Sequence, residues 1–154
     1  IIALDIDEER LDMASKVGAT HMVNSKASDP HEHILEITHG EGLPVAFEFV
    51  GKQETILLGA QCLRPGGRLV VCGLGPEDIR LPPPTSYVRN ELEVIGSYAW
   101  DRTDISLLMD LLSNGVLDIS SSITAKYSLQ DAYEALHNLH TKSGNPIRNV
   151  VVQN

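Results

Sequence analysis

An α/β fold built on a parallel sheet is what the sequence predicts, on three observations. Short β-branched runs alternate with amphipathic stretches along the whole chain, which is the pattern of repeated strand-helix units. The run over 68–73 is almost continuously apolar, as a strand covered on both faces requires. Candidate strands also end in an acid or a glycine (Asp5, Gly51, Gly73), the residue types that serve ligands at the carboxyl edge of an open sheet.

Residues 1–5 form the first expected strand. Asp7 caps the helix that follows, Glu8 and Glu9 suit its positive end, and Gly18 takes the left-handed stop. A short strand is expected over 20–23, and Asp29-Pro30 opens a helix that stops at Gly40, since proline is tolerated at the first helical position. A third strand over 45–50 ends at Gly51, and a helix over 54–63 is terminated by Pro65-Gly66-Gly67. After the fourth strand, Pro82 to Pro84 read as an extended loop. A fifth strand is expected over 92–98, then a helix over 103–114 stopped by Gly115, with Leu107, Leu108, Leu111 and Leu112 as core. A last helix over 128–140, with Ser128 and Asp131 approximating a capping box, precedes a closing strand over 148–152.

The chain has 154 residues, 42% of them hydrophobic, enough for one or at most two compact units with a buried core. Twelve Lys and Arg against 21 Asp and Glu give a formal charge of −9, which disfavours a sequence-independent grip on nucleic acid or an anionic membrane. No spanning run and no signal peptide is legible, so a soluble cytoplasmic protein is expected. Cys62 and Cys72, ten apart in an apolar region, read as buried thiols. The chain opens without Met inside its first strand, so a piece of a longer protein is expected.

Asp5 is the most informative candidate. In dinucleotide-binding folds, a carboxylate at the end of the second strand accepts hydrogen bonds from the adenosine ribose hydroxyls and repels a 2′-phosphate, so Asp5 argues for NAD over NADP. The alternative is an acid that merely ends a strand. Arg10, one helical turn on, can reach the ribose or a phosphate. Strand ends at Phe49-Val50-Gly51 and Cys72-Gly73-Leu74 suggest a flat ligand lying across both, as a nicotinamide and its ribose would. Glu48, alone in an apolar strand, is read as a structurally paired acid. His31, His33, His137 and His140 read as surface histidines rather than metal ligands, for want of nearby cysteines and convergent carboxylates.

Taken in order, Asp5-Ile6-Asp7-Glu8-Glu9-Arg10-Leu11, Val17-Gly18-Ala19-Thr20, the strand ending at Gly51, Pro65-Gly66-Gly67 with its strand to Gly73, Glu93 to Ser97, Ser128 to Leu136 and Ile147-Arg148-Asn149-Val150-Val151 resemble the medium-chain dehydrogenases, particularly the zinc-dependent alcohol and polyol dehydrogenases. The resemblance implies a Rossmann-type doubly wound sheet over 1–98 that lacks its first strand and Gly-rich turn. It also implies a segment over 99–154 returning to a GroES-like catalytic domain. Cofactor contacts carried over by position are Asp5 and Arg10 at the adenosine ribose, and Phe49, Val50 and Gly51 at the nicotinamide ribose. Cys72, Gly73 and Leu74 would meet the carboxamide, Ser97, Tyr98 and Ala99 the nicotinamide, and Arg148 the pyrophosphate. Leu43-Pro44 stand where the family usually has an Asp, so the loop entering that strand is expected to differ.

The Gly-rich turn would precede Ile1 by roughly twenty residues, and the missing strand sits mid-sheet in the order 3-2-1-4-5-6, leaving a gap with two exposed edges. A free-standing chain is therefore expected to fold poorly, unless a longer polypeptide or another chain fills the gap. The implied activity is hydride transfer between an alcohol and NAD. Zinc, held by residues this chain lacks, would polarise the alcohol, and the nicotinamide would lie over Val50 and Leu74. A homo-oligomer through the sheet edge near Gly96-Ser97-Tyr98 is implied as well, with Trp100 at a substrate pocket or subunit contact. Three other readings stay open: an S-adenosylmethionine-dependent methyltransferase, a zinc-independent quinone or enoyl reductase, and a non-catalytic oligomerisation module.

Overall fold

The computed structural model describes residues 1–153 and divides into two compact units, Ile1–Tyr98 and Ala99–Asn154. In the first unit, β1 (Ile2–Asp5) leads into α1 (Glu8–Lys16), β2 (His21–Asn24) and α2 (Pro30–Ile37). Then come β3 (Leu43–Glu48), α3 (Gln53–Gln61), β4 (Leu63–Val71), α4 (Pro84–Asn90) and β5 (Glu93–Gly96). The second unit holds α5 (Arg102–Ser113), β6 (Ile123–Ser128), α6 (Ala132–Thr141) and β7 (Arg148–Val152). Every strand pair is parallel. Among the described residues, no helix is long and apolar enough to cross a membrane.

Among the described residues the strands form three sheets, ordered β1-β2, β3-β4-β5 and β6-β7. β1 pairs only with β2, and β3 only with β4, so each keeps one edge without a hydrogen-bonded strand among the described residues. These are the two strands that flank the sheet's expected gap. The helix starts follow the sequence chemistry: Asp7 accepts from the Glu9 amide, and Asp29 from the amides of His31 and Glu32 with Pro30 at the first position.

Several expectations need correction. Strand β3 stops at Glu48, two residues short of the expected end, because its carboxylate turns the chain there. Strand β4 begins at Leu63 and runs through Pro65-Gly66-Gly67, which bulge out of register between Leu43–Leu63 and Val45–Arg68 instead of ending the pairing. Pro84 opens α4, because proline suits a first helical turn. β5 stops at Gly96, and β6 occupies a segment with no expected strand. Ser128 Oγ donates to Asp131 Oδ2 at 2.6 Å, so the two side chains satisfy each other and α6 has no side-chain cap. The capping box is instead at α5, where Asp101 and Asp104 reciprocate. Leu107 and Leu108 are exposed, Leu111 and Leu112 half-buried, and Cys72 is only half-buried.

The core of the β3-β4-β5 sheet is Leu69 with Ile56 and Ala60 of α3, packed on by Ala46, Leu63, Val71 and Val94. Gly59 lets α3 lie close to the sheet: a Cβ there would sit 2.8 Å from Leu69 Cδ1. Leu69 is fully buried, so Leu69→Ala is expected to cost about 2–5 kcal/mol, read as a lowered urea midpoint of the complete polypeptide. This core fixes the three strand ends that carry the site.

Candidate functional site at the carboxyl edge of the sheet

The register Glu48–Val71 and Val71–Gly96 brings the carboxyl ends of β3, β4 and β5 to one line. Cys72 N and Gly73 N donate to the Glu48 carbonyl at 2.7 and 3.0 Å, and Ser97 N donates to the Val71 carbonyl at 2.9 Å. Phe49-Val50-Gly51, Cys72-Gly73-Leu74 and Ser97 therefore leave the sheet side by side. Gly51 takes φ +77°, and a Cβ on it would stand 2.6 Å from the Leu74 carbonyl carbon. A Cβ on Gly73 would stand 2.1 Å from Gly51 N. The two loops are thus in backbone contact that no side chain permits. Phe49, Val50 and Leu74 are 73%, 55% and 79% exposed, an apolar rim at a backbone-lined edge, which suits a flat, partly apolar ligand.

Glu48 is buried at the end of β3 and is the base of this edge. Its Oε1 accepts from Val50 N at 2.8 Å, Gly51 N at 2.9 Å and Thr55 Oγ1 at 2.7 Å, and Oε2 also accepts from Gly51 N at 3.0 Å. A buried carboxylate is tolerated when it is hydrogen-bonded in this way. It also sits at the positive end of α3, whose N-cap Lys52 makes no side-chain cap bond. Beyond it, the Gln53 side chain pairs with the Arg80 backbone, donating to its carbonyl at 2.8 Å and accepting from its amide. That amide pair ties the loop after β4 to the start of α3.

Asp5 ends β1, with Oδ1 accepting from Ile6 N at 2.7 Å and Asp7 N at 3.1 Å. Both bonds fall on Oδ1, so Oδ2 keeps its acceptor capacity. Arg10 Nε lies 3.9 Å from Asp7 Oδ2. Tyr98 closes the first unit 82% exposed, and Ala99 opens the second with φ +55°. Arg148 begins β7, its backbone held by Thr124 Oγ1. The edge thus gathers residues 49–51 and 72–74 with Ser97, while Asp5 ends a strand of the separate β1-β2 pair, Arg10 lies on α1 and Arg148 belongs to the second unit.

Burial, with a smaller push from the Asp29 charge, raises the Cys62 thiol to about 11. A thiol whose folded value is raised contributes stability that is complete below its unfolded value near 9.0 and is lost as pH rises through about 11. Alkaline titration of stability is therefore expected to fall across that window, less steeply in Cys62→Ala. At neutral pH, a thiol reagent is expected to label Cys72 well before Cys62, which mass mapping of the labelled peptides checks.

Residues 1–114 match the family of zinc-binding dehydrogenases. The chain belongs to the zinc-binding dehydrogenase family. Within the family's reach it is 31% identical over 137 residues to a sorbitol dehydrogenase of Bacillus subtilis, covering 88% of this chain and 38% of that protein. It is 30% identical over 139 residues to an NAD-dependent alcohol dehydrogenase of Sulfurisphaera tokodaii, covering 90% and 39%. The fold matches that of the alcohol dehydrogenase TADH from Thermus sp. ATN1 with TM-score 0.92 at 24% identity, over 100% of this chain and 44% of that one. The chain spans about two fifths of the length of the curated relatives it matches.

A pyridine nucleotide, which this zinc-binding dehydrogenase family implies, fits the residues present: the strand ends at Gly51, Gly73 and Ser97 lie side by side with exposed apolar Phe49, Val50 and Leu74, and the bonds to the Asp5 carboxylate among the described residues fall on Oδ1 alone. Zinc does not fit them. Among the described residues, no group of three or more His, Cys, Asp or Glu is placed to hold a metal ion. His33 Nδ1 is 2.9 Å from Ser28 Oγ, and His137 stacks on Tyr133. Gln53 escaped the sequence reading, since a lone glutamine at a helix start carries no signal. Glu48 was visible as an isolated acid, but its donors follow only from the loop's course.

Proposed function

We propose that this chain is the cofactor-binding part of an NAD-dependent alcohol dehydrogenase. The observation that carries the reading is the side-chain-free backbone contact between Gly51 and the loop at Gly73, at the carboxyl edge of a parallel sheet, where open α/β folds take their ligands. When bound, the nicotinamide supplies the hydride acceptor for oxidation of a primary or secondary alcohol. The chain's own residues bind and orient it. Phe49, Val50 and Gly51 line its ribose, the backbone of Cys72, Gly73 and Leu74 meets the carboxamide, and Ser97, Tyr98 and Ala99 flank the ring. Asp5 accepts from the adenosine ribose hydroxyls and Arg10 stands beside it, while Arg148 offers its guanidinium to the pyrophosphate.

The Asp5 carboxylate, with Asp7, Glu8 and Glu9 following, favours NAD over NADP. The relatives named for sorbitol and for alcohol support an alcohol or polyol substrate. The outer edge of β5, which pairs only with β4 among the described residues, supports homo-oligomerisation near Gly96-Ser97-Tyr98. A zinc ion would come with residues outside this chain, and a cytoplasmic location completes the proposal.

The complete polypeptide is tested with NAD and a panel of alcohols and polyols, following NADH formation. NAD-linked oxidation of at least one alcohol is expected. Binding of S-adenosylmethionine without binding of NADH would reverse the assignment.

A further inference from the structure

Glu48 is the one buried charged residue among the described residues, and no cation pairs with it. Its four acceptances all come from the loop and first turn that follow it: Val50 N, Gly51 N (shared by both oxygens) and Thr55 Oγ1. Its own carbonyl accepts from Cys72 N and Gly73 N in the neighbouring strand end. One residue therefore grips both loops of the cofactor edge, one by its side chain and the other by its backbone. Gly51 has no latitude in this arrangement, for its amide is held by the carboxylate and its Cα faces the residue 73–75 backbone at contact distance. The side chains of Phe49 and Val50 on this held loop are largely exposed.

We propose that Glu48 is a positioning residue for the dinucleotide: its buried carboxylate fixes the Val50–Gly51 peptide against the Gly73 loop and so sets cofactor affinity without touching the cofactor. The inference rests on the function proposed above. A glutamine at this position keeps one acceptor oxygen but places an NH2 donor where a carboxylate oxygen meets an N–H, so part of the clamp is lost with side-chain volume nearly unchanged. Removal of the Thr55 hydroxyl withdraws one bond from the same Oε1, along with its 3.1 Å contact to the Lys52 carbonyl, and leaves the two amides in place.

The complete polypeptide, Glu48→Gln and Thr55→Val are compared by NADH titration well below each melting temperature, and by amide hydrogen exchange over residues 49–55. Glu48→Gln is expected to weaken NADH binding about tenfold and Thr55→Val about threefold, with faster exchange at Val50 and Gly51 in the same order. Tight NADH binding unchanged in both variants, with only the melting temperature lowered, overturns the proposal and leaves Glu48 a prop of the fold. If Glu48→Gln fails to fold, Thr55→Val decides on the same two readouts. A wild-type polypeptide that binds no NADH overturns the functional reading itself, an outcome distinct from a wild type that binds and a variant that binds equally well.

Discussion

Replacing Gly73 with alanine is expected to destabilise the complete polypeptide by about 3 kcal/mol and to weaken NADH binding by at least about tenfold. The new Cβ would lie 2.1 Å from Gly51 N and 2.6 Å from both the amide nitrogen and the carbonyl carbon of Val50. All three are backbone atoms, so no rotamer change relieves the overlap, and the β3–α3 loop has to move as a unit. That loop is anchored by the Glu48 carboxylate, so its displacement also strains buried hydrogen bonds. Gly96→Ala is the matched control. Gly96 ends the adjacent strand, has no atom within 4 Å of a built Cβ and has no positive φ. Its substitution is expected to stay within about 0.5 kcal/mol. Urea midpoints and NADH titrations of the two variants give the comparison, and equal behaviour would contradict the close contact of the two loops.

The second large effect is expected at Asp5. Asp5→Asn keeps an Oδ1 acceptor for the amides of Ile6 and Asp7, so the turn after β1 should survive, while the negative charge and its second strong acceptor are lost. A hydrogen bond to a charged group contributes about 1.5–3 kcal/mol, so NADH affinity is expected to fall roughly tenfold to a hundredfold. The same change removes the charge that repels a 2′-phosphate, and NADPH affinity is expected to rise or hold while NADH falls. An unchanged NADH to NADPH ratio in Asp5→Asn, with stability preserved, would remove Asp5 from the site.

Much of this was legible in the residues themselves. Aspartates at 7 and 29 could announce helix starts, because capping is a contact within three residues. Glycine at 51 and 73 marked where the chain turns off the sheet edge, although β3 ends earlier at Glu48 and β4 at Val71, short of the expected strand ends at 50 and 73. What escaped depended on partners far along the chain. Pro82 to Pro84 read as a loop because local chemistry does not separate a polyproline stretch from a proline at the first turn of α4. β4 continues across Pro65-Gly66-Gly67 because β3 lies alongside to hold it, with a bulge absorbing the excess residues. Leu107 and Leu108 have the spacing of a core face, yet burial is decided by what covers a helix, and both are exposed. Glu48 showed as an anomaly in an apolar run, and its meaning lay in four bonds that only the turn at Gly51 assembles.

The most direct test of the whole account is a titration of the complete polypeptide with NADH and with NADPH, read by quenching of protein fluorescence under identical conditions. Saturable binding of both or of NADH alone is expected, with NADH tighter by about tenfold or more. NADPH binding as tight as NADH, or no binding of either nucleotide, would contradict it.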